Sequence, residues 1–137
     1  MKAQHILETC IYVNDLEPAR QFYAEVLGLE VLAEAPGRHV FFRHGQGVFL
    51  VFHPEATAIP GEFPPHGAIG PGHIAFKMAL AEYDAWKAWL AEHGVAVEKE
   101  IEWSAAGRSI YFRDPAGNSV ELTTPGTWGL PEDVGER

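Results

Sequence analysis

The sequence predicts an α+β protein made of two βαβββ modules in tandem, on three observations. The first is an internal repeat. Arg38-His39-Val40-Phe41-Phe42-Arg43 returns as Arg108-Ser109-Ile110-Tyr111-Phe112-Arg113, and the ungapped match runs on through Gly47 and Gly117 into Val48–Phe52 and Asn118–Leu122. The second is an amphipathic stretch upstream of each copy, with Phe22-Tyr23 in one and Trp86 and Trp89 in the other; each ends on a glycine, Gly28 or Gly94. The third is the two-residue alternation of apolar and polar side chains in the segments between turn residues. A module of roughly sixty residues buries too little surface to be comfortable alone, so the halves are expected to share packing, with each other or with a second chain.

Each element has its own signal. Leu7–Val13 alternates and reads as a strand. Asp15 is placed to cap a helix, with Glu17 and Pro18 tolerated in its first turn. Ala19, Phe22, Tyr23, Val26 and Leu27 recur at helical spacing, and Gly28 stops them. Strands follow at Leu29–Glu34, His39–Arg43 and Val48–His53, with turns at Pro36-Gly37 and His44–Gly47. The second module repeats the plan: a strand at His73–Met78, a helix over Ala81–His93, then strands at Val95–Ile101, Ser109–Arg113 and Asn118–Thr123. Asp114-Pro115-Ala116-Gly117 joins the last two. The whole reads as one domain, with module one at 5–53, a linker at 54–72, module two at 73–123 and a tail at 124–137. The linker holds five Pro and four Gly. It is long for a compact domain, which suggests that part of it is a functional loop. The tail is acidic and irregular, with Trp128 expected to pack down.

Alternation also separates the strand faces. Thr9, Ile11 and Val13 oppose Glu8, Cys10 and Tyr12. Ile74, Phe76 and Met78 oppose His73, Ala75 and Lys77. Ile110 and Phe112 oppose Ser109, Tyr111 and Arg113, and Val120 and Leu122 oppose Ser119, Glu121 and Thr123. The apolar faces must pack on the helices. The other faces collect Glu8, His73, Lys77, Tyr111, Arg113 and Glu121, and they either meet water or line a cavity.

Composition narrows the partners. The formal net charge is −9 and no basic run occurs, which argues against nucleic acid and anionic membrane. A single cysteine excludes an intrachain disulfide and suits a reducing cytoplasm. The N-terminus lacks a signal-peptide apolar run, and no stretch is long enough to span a bilayer.

Asp15-Leu16, Phe22-Tyr23 and Val26-Leu27-Gly28-Leu29 in the first module, with Tyr111 to Asn118 and Glu121-Leu122 in the second, resemble the vicinal oxygen chelate superfamily. That superfamily includes glyoxalase I, fosfomycin-modifying enzymes, extradiol dioxygenases and bleomycin-binding resistance proteins. The resemblance covers roughly residues 5–125. It implies modules whose mixed sheet curves into a cup, with helices on the convex side and a divalent metal in the cup (Zn, Ni, Mn, Co or Fe). The family's ligand positions fall on Glu8, His73 and Glu121. The remaining position, by the ungapped repeat, is Val51, which cannot bind a metal.

All three candidates lie on the faces that alternation had set aside. Two carboxylates and one imidazole make a hard site suited to a labile divalent ion with open positions. Without a cation, two carboxylates about 4 Å apart repel by roughly 4 kcal/mol at an effective dielectric of 20. Protonation relieves that repulsion as well as a metal does. The plain alternative is that Glu8 and Glu121 are solvated and His73 is an ordinary hydrogen-bonded histidine.

Lesser candidates have bland alternatives beside them. Tyr111 reads as a donor to a bound oxyanion or as a wall aromatic. Lys77 and Arg113 read as anchors for an anionic substrate or as rim charges. His53 shares a face with Val51, and Cys10 beside Glu8 is a soft ligand or a small filler. The resemblance implies a glyoxalase-like, metal-dependent lyase or isomerase. It would bind a small substrate through two neighbouring oxygens and stabilise an enolate or oxyanion, with Glu121 or Glu8 as base. A metal-free drug-binding protein and an extradiol-type dioxygenase are the alternatives. A cytoplasmic homodimer that shares its site between chains is expected, with no nucleic-acid or membrane partner.

Overall fold

The computed structural model describes residues 1–136 and divides into two compact units, Met1–Gly70 and Pro71–Glu136. The chain is α+β, with one four-stranded mixed sheet in each unit.

In unit one the sheet order is β1(Glu8–Tyr12), β4(Gly47–Phe52), β3(His39–His44), β2(Glu30–Ala35). β1 runs parallel to β4 and the other pairs are antiparallel. The first two strands in sequence therefore sit at opposite edges, and the helix between them carries the chain across. Three strand spacings are roughly 14 Å. The helical stretch, α1(Leu16–Gln21) with a π-helical turn at Phe22–Val26, spans about 16 Å at 1.5 Å per residue. Asp15 begins the helix in extended geometry, but its side chain makes no cap hydrogen bond. At the other end Gly28 takes φ 70° and Leu29 N–H bonds to Tyr23 O at 3.0 Å. That bond spans one residue more than the usual six-to-one closure on a left-handed glycine, because the last turn is π-helical.

The buried face of this sheet carries Ile11, as alternation predicts, together with Val40, Phe42, Phe49 and Val51, and packs with Ala19, Phe22, Tyr23 and Val26. Tyr23 is fully buried, with its ring 5.0 Å from Phe49 and 6.0 Å from Phe42. Part of the 54–72 segment is ordered on this unit. α2(Pro54–Thr57) opens it, and His66 returns to hydrogen-bond Thr57 O through its backbone and Tyr12 Oη through its ring.

Unit two repeats the plan, in the order β5(His73–Lys77), β8(Ser119–Thr123), β7(Arg108–Arg113), β6(Lys99–Glu102). A 3₁₀ turn at Leu80–Glu82 leads into α3(Tyr83–Glu92). Gly94 takes φ 69° and Val95 N–H bonds to Leu90 O at 2.9 Å. That bond holds Val95 to the helix end, and β6 begins only at Lys99, four residues later than alternation suggests. Phe76, Met78, Ile110, Phe112, Val120 and Leu122 form the core with Leu90.

The strands form two open four-stranded mixed sheets, one in each unit, as two tandem modules require. Two expectations are corrected. Trp128 lies in a 3₁₀ turn and is 77% exposed, because Pro125–Trp128 turns the ring away from the unit's core. The repeat is also not ungapped. Arg43 pairs with Val48, but Arg113 pairs with Ser119, so the second hairpin connection is one residue longer. One residue flips every side chain to the other face. Val51 is therefore a core residue of unit one, and the counterpart of Glu121 is Leu50, which is equally unable to bind metal. The same register sets Glu8, opposite Val48, as the counterpart of His73, opposite Ser119.

Candidate active site

β5 and β8 lie side by side and parallel, with Ala75 opposite Glu121 and His73 opposite Ser119. Side chains of one parity on both strands share a face, so His73 and Glu121 come together. His73 Nε2 and Glu121 Oε2 are 3.4 Å apart, with the imidazole half exposed and the carboxylate nearly buried.

The turn quoted in the sequence resemblance positions this pair. Asp114 Oδ1 accepts from the backbone N–H groups of Ala116 and Asn118, each at 2.9 Å. Asn118 Nδ2 donates to Asp114 Oδ2 at 2.9 Å. Asn118 Oδ1 then accepts from Gly72 N–H at 2.7 Å, and Ser119 N–H donates to Gly72 O at 2.9 Å. Gly117 takes φ 90°, a left-handed value that favours glycine. The turn thereby ties the residue before His73 to the strand that carries Glu121.

Each side chain of the pair is also held from behind. His73 Nδ1 lies 3.1 Å from Ser119 O. A carbonyl only accepts, so Nδ1 carries the proton and Nε2 presents its other face to Glu121. Glu121 Oε1 accepts from Ser109 Oγ at 2.6 Å, and Trp103 Nε1 donates to the same Oγ at 2.9 Å. Burial, and after it the hydrogen bond and charge of Glu121, push the Tyr111 hydroxyl above the usual phenol range. Its ring lies 6.4 Å from that of His73.

Of the predicted site residues, His73, Glu121 and Tyr111 share one face of unit two. Glu8 opens β1 of unit one and is exposed. Among the described residues no three His, Cys, Asp or Glu side chains gather closely enough to hold a metal ion. The chemistry of the unit-two pair nevertheless suits one. Imidazole Nε2 and carboxylate Oε2 point at each other, and each residue's second polar atom is already satisfied. A proton or a cation is needed to reconcile two such acceptors.

The lesser candidates are committed elsewhere. Lys77 Nζ is 2.8 Å from Glu136, and Arg113 bonds Glu98 at 3.1 and 3.2 Å and Gly117 O at 3.1 Å. His53 caps α2, its Nδ1 accepting from Glu55 N–H at 3.2 Å. Cys10 is half buried beside Tyr12, whose hydroxyl burial and Cys10 push up to about 12. A cavity of about 380 Å³ in unit one, lined by Asp15, Arg20, Glu34, His39 and His53 among others, contains neither His73 nor Glu121. Its Arg20–Glu34 ion pair is closed at 2.8 Å, so those charges are already matched.

Sequence reasoning missed Ser109, Trp103 and Asn118 as supports. Alternation had put Ser109 on the face of Tyr111, so its location was visible. Trp103 lies in a loop, with no periodic signal.

A family model described as the Glyoxalase/Bleomycin resistance protein/Dioxygenase superfamily matches residues 2–122. The chain is 29% identical over 125 residues to the metallothiol transferase FosB of Staphylococcus epidermidis, covering 90% of this chain and 84% of that one. It is 28% identical over 119 residues to catechol-2,3-dioxygenase of Bacillus subtilis, covering 86% of this chain but 40% of the relative. Among solved structures, lactoylglutathione lyase from Agrobacterium tumefaciens superposes with a TM-score of 0.90 at 38% identity, covering 95% of this chain and 100% of that one.

Proposed function

Because the chain belongs to the Glyoxalase/Bleomycin resistance protein/Dioxygenase superfamily, we propose that it is a glyoxalase-like, divalent-metal-dependent lyase or isomerase acting on a small substrate with two neighbouring oxygens. The observation that carries this reading is the 3.4 Å approach of His73 Nε2 to Glu121 Oε2, with Ser119 O and Ser109 Oγ holding the far side of each. The solved lyase at 38% identity and the metallothiol transferase relative support a metal-dependent reaction of this kind.

His73 and Glu121 would hold the ion, and Glu8 of a second copy of the chain is the proposed third ligand, since its strand register is that of His73. Zinc, nickel, manganese, cobalt or iron(II) would suit this donor set. When bound, such an ion supplies Lewis-acid charge to the two substrate oxygens.

The chain's own groups do the rest. Tyr111 keeps its proton at neutral pH, because burial and Glu121 oppose its ionisation. It donates a hydrogen bond to the oxygen on which negative charge develops. Once it no longer holds the ion, Glu121 Oε2 would be the site for the proton removed beside the substrate carbonyl, while Oε1 stays with Ser109. Glu8 is the second carboxylate suited to the same exchange.

The test is turnover and thermal stabilisation of metal-loaded protein with a panel of 2-oxoaldehyde thiol adducts, 2-hydroxyacids and catechols. Stabilisation by a compound with two neighbouring oxygens, lost when either oxygen is removed, supports the reading. Stabilisation by aromatic cations without metal contradicts it.

A further inference from the structure

The two oxygens of Glu121 are not equivalent. Oε2 faces His73, and Oε1 is taken by Ser109 Oγ at 2.6 Å. Ser109 is fully buried, and its neighbours determine which way its hydroxyl points. Trp103 Nε1 can only donate, and it does so to Ser109 Oγ at 2.9 Å. That occupies a lone pair and leaves the one Ser109 proton for Glu121, for Thr123 Oγ1, 2.9 Å away, or for the Tyr111 hydroxyl, which has its own proton to give to Glu121. Thr123 has its own outlets, Thr127 Oγ1 at 3.0 Å and Arg108 O at 3.4 Å. An ionised Glu121 can only accept. The arrangement that satisfies every group runs Trp103 N–H to Ser109 Oγ, then Ser109 O–H to Glu121 Oε1.

We propose that Ser109, oriented by Trp103, is a positioning residue that makes Glu121 a one-oxygen ligand and thereby selects a small, imidazole-accepting divalent ion over calcium. The proposal rests on the metal-dependent reading above. Calcium gathers six to eight oxygens, often through both oxygens of a carboxylate. To chelate calcium, Glu121 would have to give up the buried, charge-assisted hydrogen bond from Ser109. Zinc, cobalt and manganese are served by one carboxylate oxygen beside an imidazole. The short bond therefore acts as a filter on the ion as well as a brace for the ligand.

The test is titration calorimetry of the full chain with cobalt(II), manganese(II) and calcium, together with the visible spectrum of the cobalt form. Wild type binds cobalt and manganese and not calcium. In Ser109→Ala cobalt affinity falls about 10- to 100-fold, the cobalt-over-calcium preference narrows and the cobalt spectrum changes. Trp103→Phe, at a half-exposed position, moves affinity and spectrum in the same direction by less. The double variant matches Ser109→Ala alone, because Trp103 acts through Ser109. If wild type binds cobalt and Ser109→Ala keeps the wild-type affinity, spectrum and preference, the Ser109 proposal is overturned and the metal reading stands. If Ser109→Ala does not fold, unchanged cobalt binding in Trp103→Phe overturns it instead. If wild type binds no ion, both fall together.

Discussion

Asn118→Asp is the most informative single change outside the ligands, because it alters charge and almost nothing of shape. Asn118 is 2% exposed, with Oδ1 on Gly72 N–H at 2.7 Å and Nδ2 on Asp114 Oδ2 at 2.9 Å. An aspartate keeps the first bond and turns the second into two carboxylate oxygens facing each other at hydrogen-bond distance. Coulomb repulsion at that separation is about 6 kcal/mol at an effective dielectric of 20. Relaxation of the turn lowers this, and the lost hydrogen bond adds about 1 kcal/mol. A net destabilisation of about 3–5 kcal/mol is expected at pH 7.5, or a fall in Tm on the order of 10 °C.

The pH dependence identifies the cause. The engineered pair takes up a proton more readily folded than unfolded, so the folded variant binds more protons above the ordinary carboxylate range. Its stability therefore falls as pH rises, and its deficit shrinks on going from pH 7.5 towards pH 4.5. Urea unfolding of wild type and variant across that range measures it. A deficit that does not change with pH, or none at pH 7.5, refutes the account of the turn.

Three further outcomes are expected. The metal-induced rise in Tm shrinks from pH 7.5 to pH 5 in wild type, since binding needs a neutral imidazole, and it stays small at both pH values in His73→Ala. Burial and the Glu100 partner push Tyr83 up to about 12, so the folded chain keeps a proton that the unfolded chain loses above about pH 10. Stability then falls as pH rises past that value, and chemical unfolding at pH 9 and 11 should find a smaller fall in Tyr83→Phe. In solution the chain sediments as a homodimer at micromolar concentration, and a strictly monomeric species that binds metal stoichiometrically would contradict the shared site.

The fold was legible in the sequence because its signals are local. Alternation separated Ile110 and Phe112 from Ser109 and Tyr111, and the strands bury the first pair fully. Gly28 and Gly94 marked both helix ends because only glycine takes their left-handed φ cheaply. The one-residue difference between the hairpins was hidden, because similar residues keep matching after the slip. Only the pairing of Arg43 with Val48 and of Arg113 with Ser119 exposes it. His73 and Glu121 were legible as a pair, since parity and a parallel neighbour suffice to juxtapose them. The bonds that orient them were not, because Trp103 and Gly72 reach Ser109 and Asn118 through tertiary contacts that no spacing records.

Metal affinity in wild type, His73→Ala and Glu121→Gln tests the central claim most directly, on protein purified without chelator and then titrated with cobalt(II) or manganese(II). Glu121→Gln removes the charge, keeps the shape and leaves Oε1 able to accept from Ser109. The account predicts one ion bound per chain in wild type. It predicts an affinity loss of at least about tenfold in each variant at unchanged fold, exceeding any loss in Cys10→Ala, His53→Ala or Lys77→Ala. Wild-type affinity in both ligand variants, or no binding of any divalent ion by the wild-type chain, would contradict it.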